Sequence, residues 1–475
     1  MRLAKRHPAL AGLALFTAVA AVARIESWRD PLLNDTGQYL YMGETILHGG
    51  TPYVDAANNK GPLTYLLFAL IELVSGTHPT LIRAFLLLFA GLASLALAGY
   101  VAHFAGRAAG VVAGITLALL AAAPALQGGD PNTEQFGIAP MVGAWFVATQ
   151  GSARTAAAAG ALAATAVLMN PAFGVVVPFV AWELWRAAPR GRRERLVAAV
   201  AGAAAVTAPI ALWLLAAGGL DDFFAQVLGH AQRSSSPGNL SGGAYDNLAR
   251  RLEGVRFLLN VPAGGLWVAA LCSCAIACQN RRLRGAAVAA ALWIVVAWLR
   301  VKWASYEYPH HYYPALPGIA AGIALGIAAL WQPGPARRTA LAVLVLTLVT
   351  WPYVIAPQWE ASGSSRPDPY SEQYPVAKFL ATATAPSDRI LLSGNWIQIY
   401  WLSGRRAPTR FFDGFLHRER RSFAAERRRD LFTRPPRAIV QMPGEVLDRE
   451  GQELLRREPY RLVYDVRGSR VWLRS

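Results

Sequence analysis

Long apolar windows recur along most of this chain, separated by short polar breaks, and the pattern changes character only after residue 360. Crossing about 30 Å of hydrocarbon takes roughly 20 apolar residues in a helix. Windows of that order run 9 to 25, 80 to 104, 108 to 126, 136 to 150, 155 to 170, 172 to 187, 196 to 217, 257 to 279, 285 to 300, 312 to 331 and 338 to 356. Inside lipid the backbone must satisfy its own polar groups, so these windows predict helices, about eleven of them. Alternation at period two, the mark of a membrane barrel, is missing, and the Ala- and Leu-rich runs favour helix. Leu63 to Ser75 is shorter than a span and carries Glu72. It predicts an interfacial helix, with a full crossing as the alternative.

Beyond the Ser- and Pro-rich stretch from Ala361 to Pro369 the charge density is that of a soluble module. The apolar runs Arg389 to Leu392, Ala438 to Gln441, Arg461 to Asp465 and Arg470 to Leu473 predict short strands. Helical patterns cover Val376 to Ala383, Ile397 to Ser403, Phe415 to Phe432 and Gly444 to Glu458. The expected organisation is a transmembrane domain over 1–360 and a small α/β domain over 361–475. No Gly-rich phosphate loop or catalytic triad occurs in the latter, which suits a substrate-gripping or stabilising module.

Composition agrees with the pattern: of 475 residues, 54% are hydrophobic and only 16% charged, too apolar for an ordinary soluble protein. Arg2, Lys5 and Arg6 at the start, then Arg107, Arg154, the cluster from Arg186 to Arg195, Arg281 to Arg284, and Arg337 with Arg338, all fall on one side if the chain alternates across the membrane. The positive-inside rule makes that side the cytoplasm. Asp35, Asp130, Glu134, Asp221, Asp222, Glu307, His310 and the C-terminal domain are then outside, and the protein is expected in a bacterial cytoplasmic membrane. The net charge of +17 therefore has a topological cause beside anionic lipid, and no nucleic-acid partner is expected. The basic segment Arg418 to Asp430 reads as a solvated helix face with Glu/Arg pairs, or as a surface for acidic glycans. The first 25 residues resemble a secretory signal, but cleavage would break the alternation, so an uncleaved span is expected. Cys272, Cys274 and Cys278 share one apolar window and behave as small hydrophobes.

Three polar constellations remain on the outer side. The first, DTGQYLYMGETILHGGTPYVDAANNKGP from Asp35 to Pro62, sits between apolar segments at the water–lipid boundary. Asp35 there can accept a proton from a hydroxyl whose partner stays tethered in lipid, and Lys60 is a compact cation suited to phosphate. Equally, Asp35 can cap a helix beginning at Thr36 and Lys60 can snorkel beside Pro62. Residue types alone do not choose between these readings. Tyr39 and Tyr53 accompany them as candidate acceptor contacts. The second constellation is QGGDPNTE, Gln127 to Glu134. Asp130 and Glu134 could orient a hydroxyl or hold a hard divalent cation, or Asp130 or Asn132 could cap the helix near Phe136. The third is KWASYEYPHHYYPALP, Lys302 to Pro317. An aromatic belt explains Tyr312 and Tyr313; it explains the adjacent His310 and His311 poorly, and these add hydrogen-bond donors and a metal-ligand type.

An Asp-x-x-x-Tyr loop after the first span, Lys-x-Pro before the second, an acidic loop after the third and a His/Tyr-Tyr segment near the last spans, taken in that order and sidedness, resemble the GT-C glycosyltransferases. The likeness is greatest to the bacterial branch similar to protein mannosyltransferases and aminoarabinose transferases. It covers most of the chain, including DRILLSGNWIQIYWLSGRRAPTRF from Asp388 to Phe411. The resemblance implies transfer of a sugar from a polyprenyl-phosphate donor to a lipid, glycan or protein acceptor on the outer face. It implies that Asp35 activates or orients the acceptor hydroxyl, that Asp130 and Glu134 line the cavity, and that Lys60 contacts the donor phosphate, with Arg83 either assisting it or anchoring at lipid headgroups. His310, His311, Tyr312 and Tyr313 fall on the donor side. Asn59 stands where relatives often carry an acidic residue before the lysine. The resemblance fixes no cofactor: a divalent metal fits the acidic loop, while Asn59 removes one acidic ligand that relatives often supply. A transporter or flippase would put more acidic groups inside the spans and show an inverted repeat. A non-catalytic glycan-assembly factor would leave the acidic cluster incidental.

Overall fold

The computed structural model describes residues 7–187, 190–234, 262–303, 308–331 and 372–475. The expected span 338–356 and the 361–369 linker lie outside them, as do residues 235–256 of the glycine- and serine-rich stretch from Gly218 to Arg256, whose composition suits either a lid or a connector. The chain divides into two compact units, each discontinuous in sequence. One comprises 1–29, 83–209 and 233–364; the other comprises 30–82, 210–232 and 365–475.

The first unit is helical. Its described helices include Pro8–Val22, Arg107–Leu120, Thr133–Ala148, Ala153–Met169, Val177–Ala187, Pro262–Cys278, Arg284–Trp303 and Leu316–Leu330, with most of Pro79–Ala105 and Arg192–Ala216. Four segments, Pro79–Ala105, Arg192–Ala216, Arg284–Val301 and His310–Leu330, are long and apolar enough to cross a membrane. The Arg192–Ala216 helix leaves Val197 and Val200 largely exposed, a surface suited to hydrocarbon rather than water. The windows expected at 9–25 and 108–126 yield helices of only 15 and 14 residues. The first stops early because Arg24 turns inward, as described below.

Small residues set the packing, as expected where lipid offers no hydrophobic drive and close backbone approach supplies the contact energy. Gly318, Gly322 and Gly326 lie four apart along the Leu316–Leu330 helix. A Cβ on them would crowd Ala290, Ala270 with Cys274, and Ser273 respectively. Gly160 faces Ala199 while Gly202 faces Ala157, a reciprocal contact between Ala153–Met169 and Arg192–Ala216. Aromatic side chains fill the remaining space: Trp145 stacks between Tyr100, 3.8 Å away, and Trp293, 4.4 Å away. One buried carboxylate, Glu183, is paired with Arg186 at 2.8 Å and accepts from Tyr100 Oη at 2.9 Å, so its charge is compensated.

In the second unit a four-stranded sheet runs in the order β1 (Ile390–Ser393), β2 (Ala438–Gln441), β4 (Ser469–Arg474), β3 (Tyr460–Val466). β1 and β2 are parallel and the other pairings antiparallel. The expected strands fall within a residue or two of these. Arg467 and Gly468, both at positive φ, make the two-residue turn between β3 and β4, as a hairpin of matching twist requires. Around the sheet lie Gln373–Ala383, Gln398–Ser403, Arg421–Thr433 and Arg449–Arg457, the last shorter than the expected 444–458 pattern. Two helices from the early part of the chain, Asn34–Leu47 and Pro62–Ser75, belong to this unit. Gly37 lets Asn34–Leu47 meet the backbone of Gln398, and Gly43 lets it meet Ala69 and Phe68. The segment 220–234 is helical with a π-turn at Phe224–Leu228.

Candidate functional site

Asp35 lies in the first turn of Asn34–Leu47 and is half-buried. The residue at the N-cap position is Leu33, and no side chain caps the helix, so the capping reading of Asp35 is corrected. Asp35 thus stands in the first turn, where the helix dipole favours negative charge. Tyr39 and Tyr53, expected on an acceptor surface, are buried in the unit. Tyr39 packs on Phe68 at 5.2 Å, and Tyr53 contacts Tyr65 and Phe223 at 5.8 and 5.4 Å.

Tyr53 Oη donates to the Lys60 carbonyl at 2.8 Å, and the Lys60 N–H donates to Tyr65 Oη at 3.0 Å. Burial raises both phenols well above their ordinary range, keeping the hydroxyls protonated and the Lys60 turn fixed. Asn58 extends this network to Gln38 at 2.8 Å and to Gln226 at 3.1 Å, and Gln226 donates to the Tyr53 carbonyl at 2.9 Å. Arg410 donates to that same carbonyl at 3.0 Å and pairs with Asp222 at 2.8 Å and Glu426 at 2.7 Å. Residue types alone gave no sign of Gln38, Asn58, Gln226 or Arg410. The charge of Arg410 among apolar neighbours is the one signal that could have marked it.

The helical unit holds a separate polar centre. Glu134, in the first turn of Thr133–Ala148, is fully buried and accepts from Asn170 Nδ2 at 2.9 Å. His310 and His311 belong to the 3-10 turn Pro309–Ala315, with ring centroids 4.8 Å apart and planes at 88°. One ligand-type atom from each of Glu134, His310 and His311 lies within 4.8 Å of the others. Asn132 occupies the N-cap position without a side-chain cap bond, which corrects its capping reading. Asp130 is buried, and its carbonyl accepts from Gln135. Tyr312 is buried and packs edge-on against Trp267 at 5.8 Å, and Tyr313 Oη donates to the Ala121 carbonyl at 2.6 Å.

Arginines fasten this loop. Arg24 donates to the carbonyls of Gly128 and Ala121 at 2.7 Å each. Arg83, expected beside a donor phosphate, donates to Trp28 and Gly129 carbonyls at 3.2 and 3.4 Å. Charge-assisted bonds of this kind are roughly twice as strong as neutral ones. The sequence reading passed over Arg24, although a charge inside the 9–25 window could have marked it, and Asn170, which carries no such signal; Gln127 entered only as the edge of the acidic loop.

Over the whole chain the structure is similar to ArnT from Cupriavidus metallidurans bound to undecaprenyl phosphate, with TM-score 0.65, 16% identity and 97% of each chain covered. ArnT from the same organism in the apo state gives TM-score 0.63 at 16% identity, covering 98% of each chain. The apo Archaeoglobus fulgidus oligosaccharyltransferase gives TM-score 0.51 at 13% identity, covering 92% of this chain and 70% of that one. At these identities the likeness establishes the fold. No family model matches the chain, and no curated protein matches it.

Proposed function

We propose that this protein is a membrane glycosyltransferase that moves a sugar from a polyprenyl-phosphate donor to an acceptor at the outer face of a bacterial cytoplasmic membrane. The observation that carries the reading is the likeness to ArnT along nearly the entire chain, both units included. The outer-loop chemistry is consistent with it. In the proposed step the acceptor hydroxyl oxygen attacks the anomeric carbon, its proton passes to the Asp35 carboxylate, and the anomeric C–O bond to the lipid phosphate breaks. The polyprenyl phosphate leaves with the electron pair, and Lys60 neutralises its charge. Because the leaving group is already activated, the protein supplies position, a base and charge stabilisation. Single displacement inverts the anomeric centre.

The test is transfer of radiolabelled sugar from polyprenyl-phosphate donors by the purified full chain, with the product configuration assigned by NMR. Asp35→Asn is expected to lower turnover by at least ~100-fold, within the range of a lost general base, while thermal unfolding is unchanged. Near-normal turnover in that variant removes Asp35 from the role. A retained anomeric configuration overturns the single displacement, and no transfer from any such donor overturns the class.

A further inference from the structure

We propose that Glu134, His310 and His311 form a binding site for one divalent transition-metal ion of zinc-like character. The inference rests on the helical unit alone and is independent of the transfer reading. Two imidazoles and one carboxylate place a ligand-type atom each within 4.8 Å of the others. Tetrahedral bonds of about 2.1 Å set ligand atoms about 3.4 Å apart, so closure on an ion needs inward movements of under about 1 Å per side chain.

The surroundings are those of a built site. Glu134 and His310 are buried, at 0% and 5% exposure, and His311 is partly buried, so two of the three ligands are shielded from competing water. The Gln127 Oε1 atom lies 2.8 Å from His310 Nδ1. Accepting from Nδ1–H, it selects the tautomer whose Nε2 carries a lone pair, the usual outer-shell arrangement of a metal-bound histidine. Asn170 Nδ2 donates to Glu134 Oε1 at 2.9 Å and orients the carboxylate in the same way.

Charge then selects the ion. Arg300 donates to the His311 carbonyl at 3.3 Å, and its cation is attracted to Glu134. The ligand set itself carries one carboxylate and two neutral imidazoles, few anionic oxygens for a hard cation. Magnesium and calcium depend on several oxygen ligands and would gain little here. Imidazole nitrogen suits zinc and its neighbours in the transition series. Adjacent histidines in an otherwise aromatic turn, unexplained by a membrane belt, have a role in this arrangement.

The experiment uses the full chain purified in detergent, stripped with chelator, dialysed against zinc and analysed by mass spectrometry of elements. One zinc per chain is expected, and cobalt in its place should give visible d–d absorption. The double variant His310→Ala with His311→Ala, and separately Glu134→Gln, should each lose the bound ion. Asn170→Ala, a milder change outside the ligand set, should weaken binding about tenfold. His230→Ala, in the other unit, should leave it intact. Wild-type protein that takes up no stoichiometric zinc overturns the proposal, whatever the variants do. So does a folded double variant, judged by its melting curve, that binds zinc as the wild type does. Loss of zinc with sugar transfer retained, or the reverse, separates this site from the proposed activity.

Discussion

Asp413 and His417, four residues apart in the α/β unit, are shifted in opposite directions by burial. The Asp413 carboxyl is pushed up to about 6 by burial, against backbone N–H groups of Phe415 and Leu416 that favour its anion and with Glu419 and His230 nearby. The His417 imidazole is pushed down to about 4 by burial and by the positive charge of Arg427 and Arg418, with Asp448 opposing. The ordinary values are 3.8 and 6.5. Relative to the unfolded chain, the native protein between pH about 4 and about 6 therefore binds more proton at Asp413 and less at His417. Stability rises with pH where the unfolded state binds more protons, so the two contributions nearly cancel. In Asp413→Asn, which keeps an acceptor for both N–H groups, the His417 contribution is unmasked: stability should rise from pH 4 to 6.5. In His417→Gln it should fall from pH 4 to 6 as the Asp413 proton is lost. Thermal unfolding of the full chain across that range checks both; parallel curves for wild type and variants would exclude the pairing.

The same scale shows why residue types left Asp35 and Tyr53 undecided. A carboxylate at a helix start is read as a cap because capping needs only one oxygen and a nearby N–H. Here the chain enters the helix one residue before Asp35, leaving it inside the first turn. Tyr53 looks like a surface aromatic in sequence, yet its hydroxyl is committed to the Lys60 carbonyl.

At the scale of elements, the apolar windows were legible because helix formation in lipid depends on local composition, and ten of the expected windows contain described helices. Their ends were less so, since Arg24 and the 3-10 turns at Pro171–Val176 and Pro309–Ala315 answer to tertiary contacts. The strands were legible through their apolar runs, whereas the order β1-β2-β4-β3 was not. Glycine spacing in Leu316–Leu330 makes a prediction at this scale. Gly322→Val and Gly326→Val should each destabilise the protein by about 1–3 kcal/mol, the usual cost of overpacking. Gly174→Ala, whose Cβ meets open space, should be nearly neutral. Melting temperatures in detergent decide this, and equal values for all three would dismiss close helix approach as the reason for the stripe.

At the scale of the molecule, the proposed orientation puts the first outer loop outside and the 279–283 connection inside. In a background lacking Cys272, Cys274 and Cys278, an impermeant maleimide should label His48→Cys on intact cells. Arg282→Cys should react only after permeabilisation; both residues are exposed in the structure. The opposite pattern would invert the membrane assignment and with it the outer-face chemistry.

The sequence by itself determined that the chain is helical and membrane-embedded, where its apolar segments begin to within a few residues, and that an α/β module follows them. These are consequences of hydropathy and propensity, which act over a turn or two of chain. Tertiary structure alone decided that residues 30–82, 210–232 and 365–475 form one unit. It also decided that Arg410 and Gln226 hold the Tyr53 to Lys60 turn, and that Glu134 meets two histidines more than 170 residues later. Such meetings depend on buried hydrogen bonds and close helix packing between distant segments, and no local pattern of residues records which segments those will be.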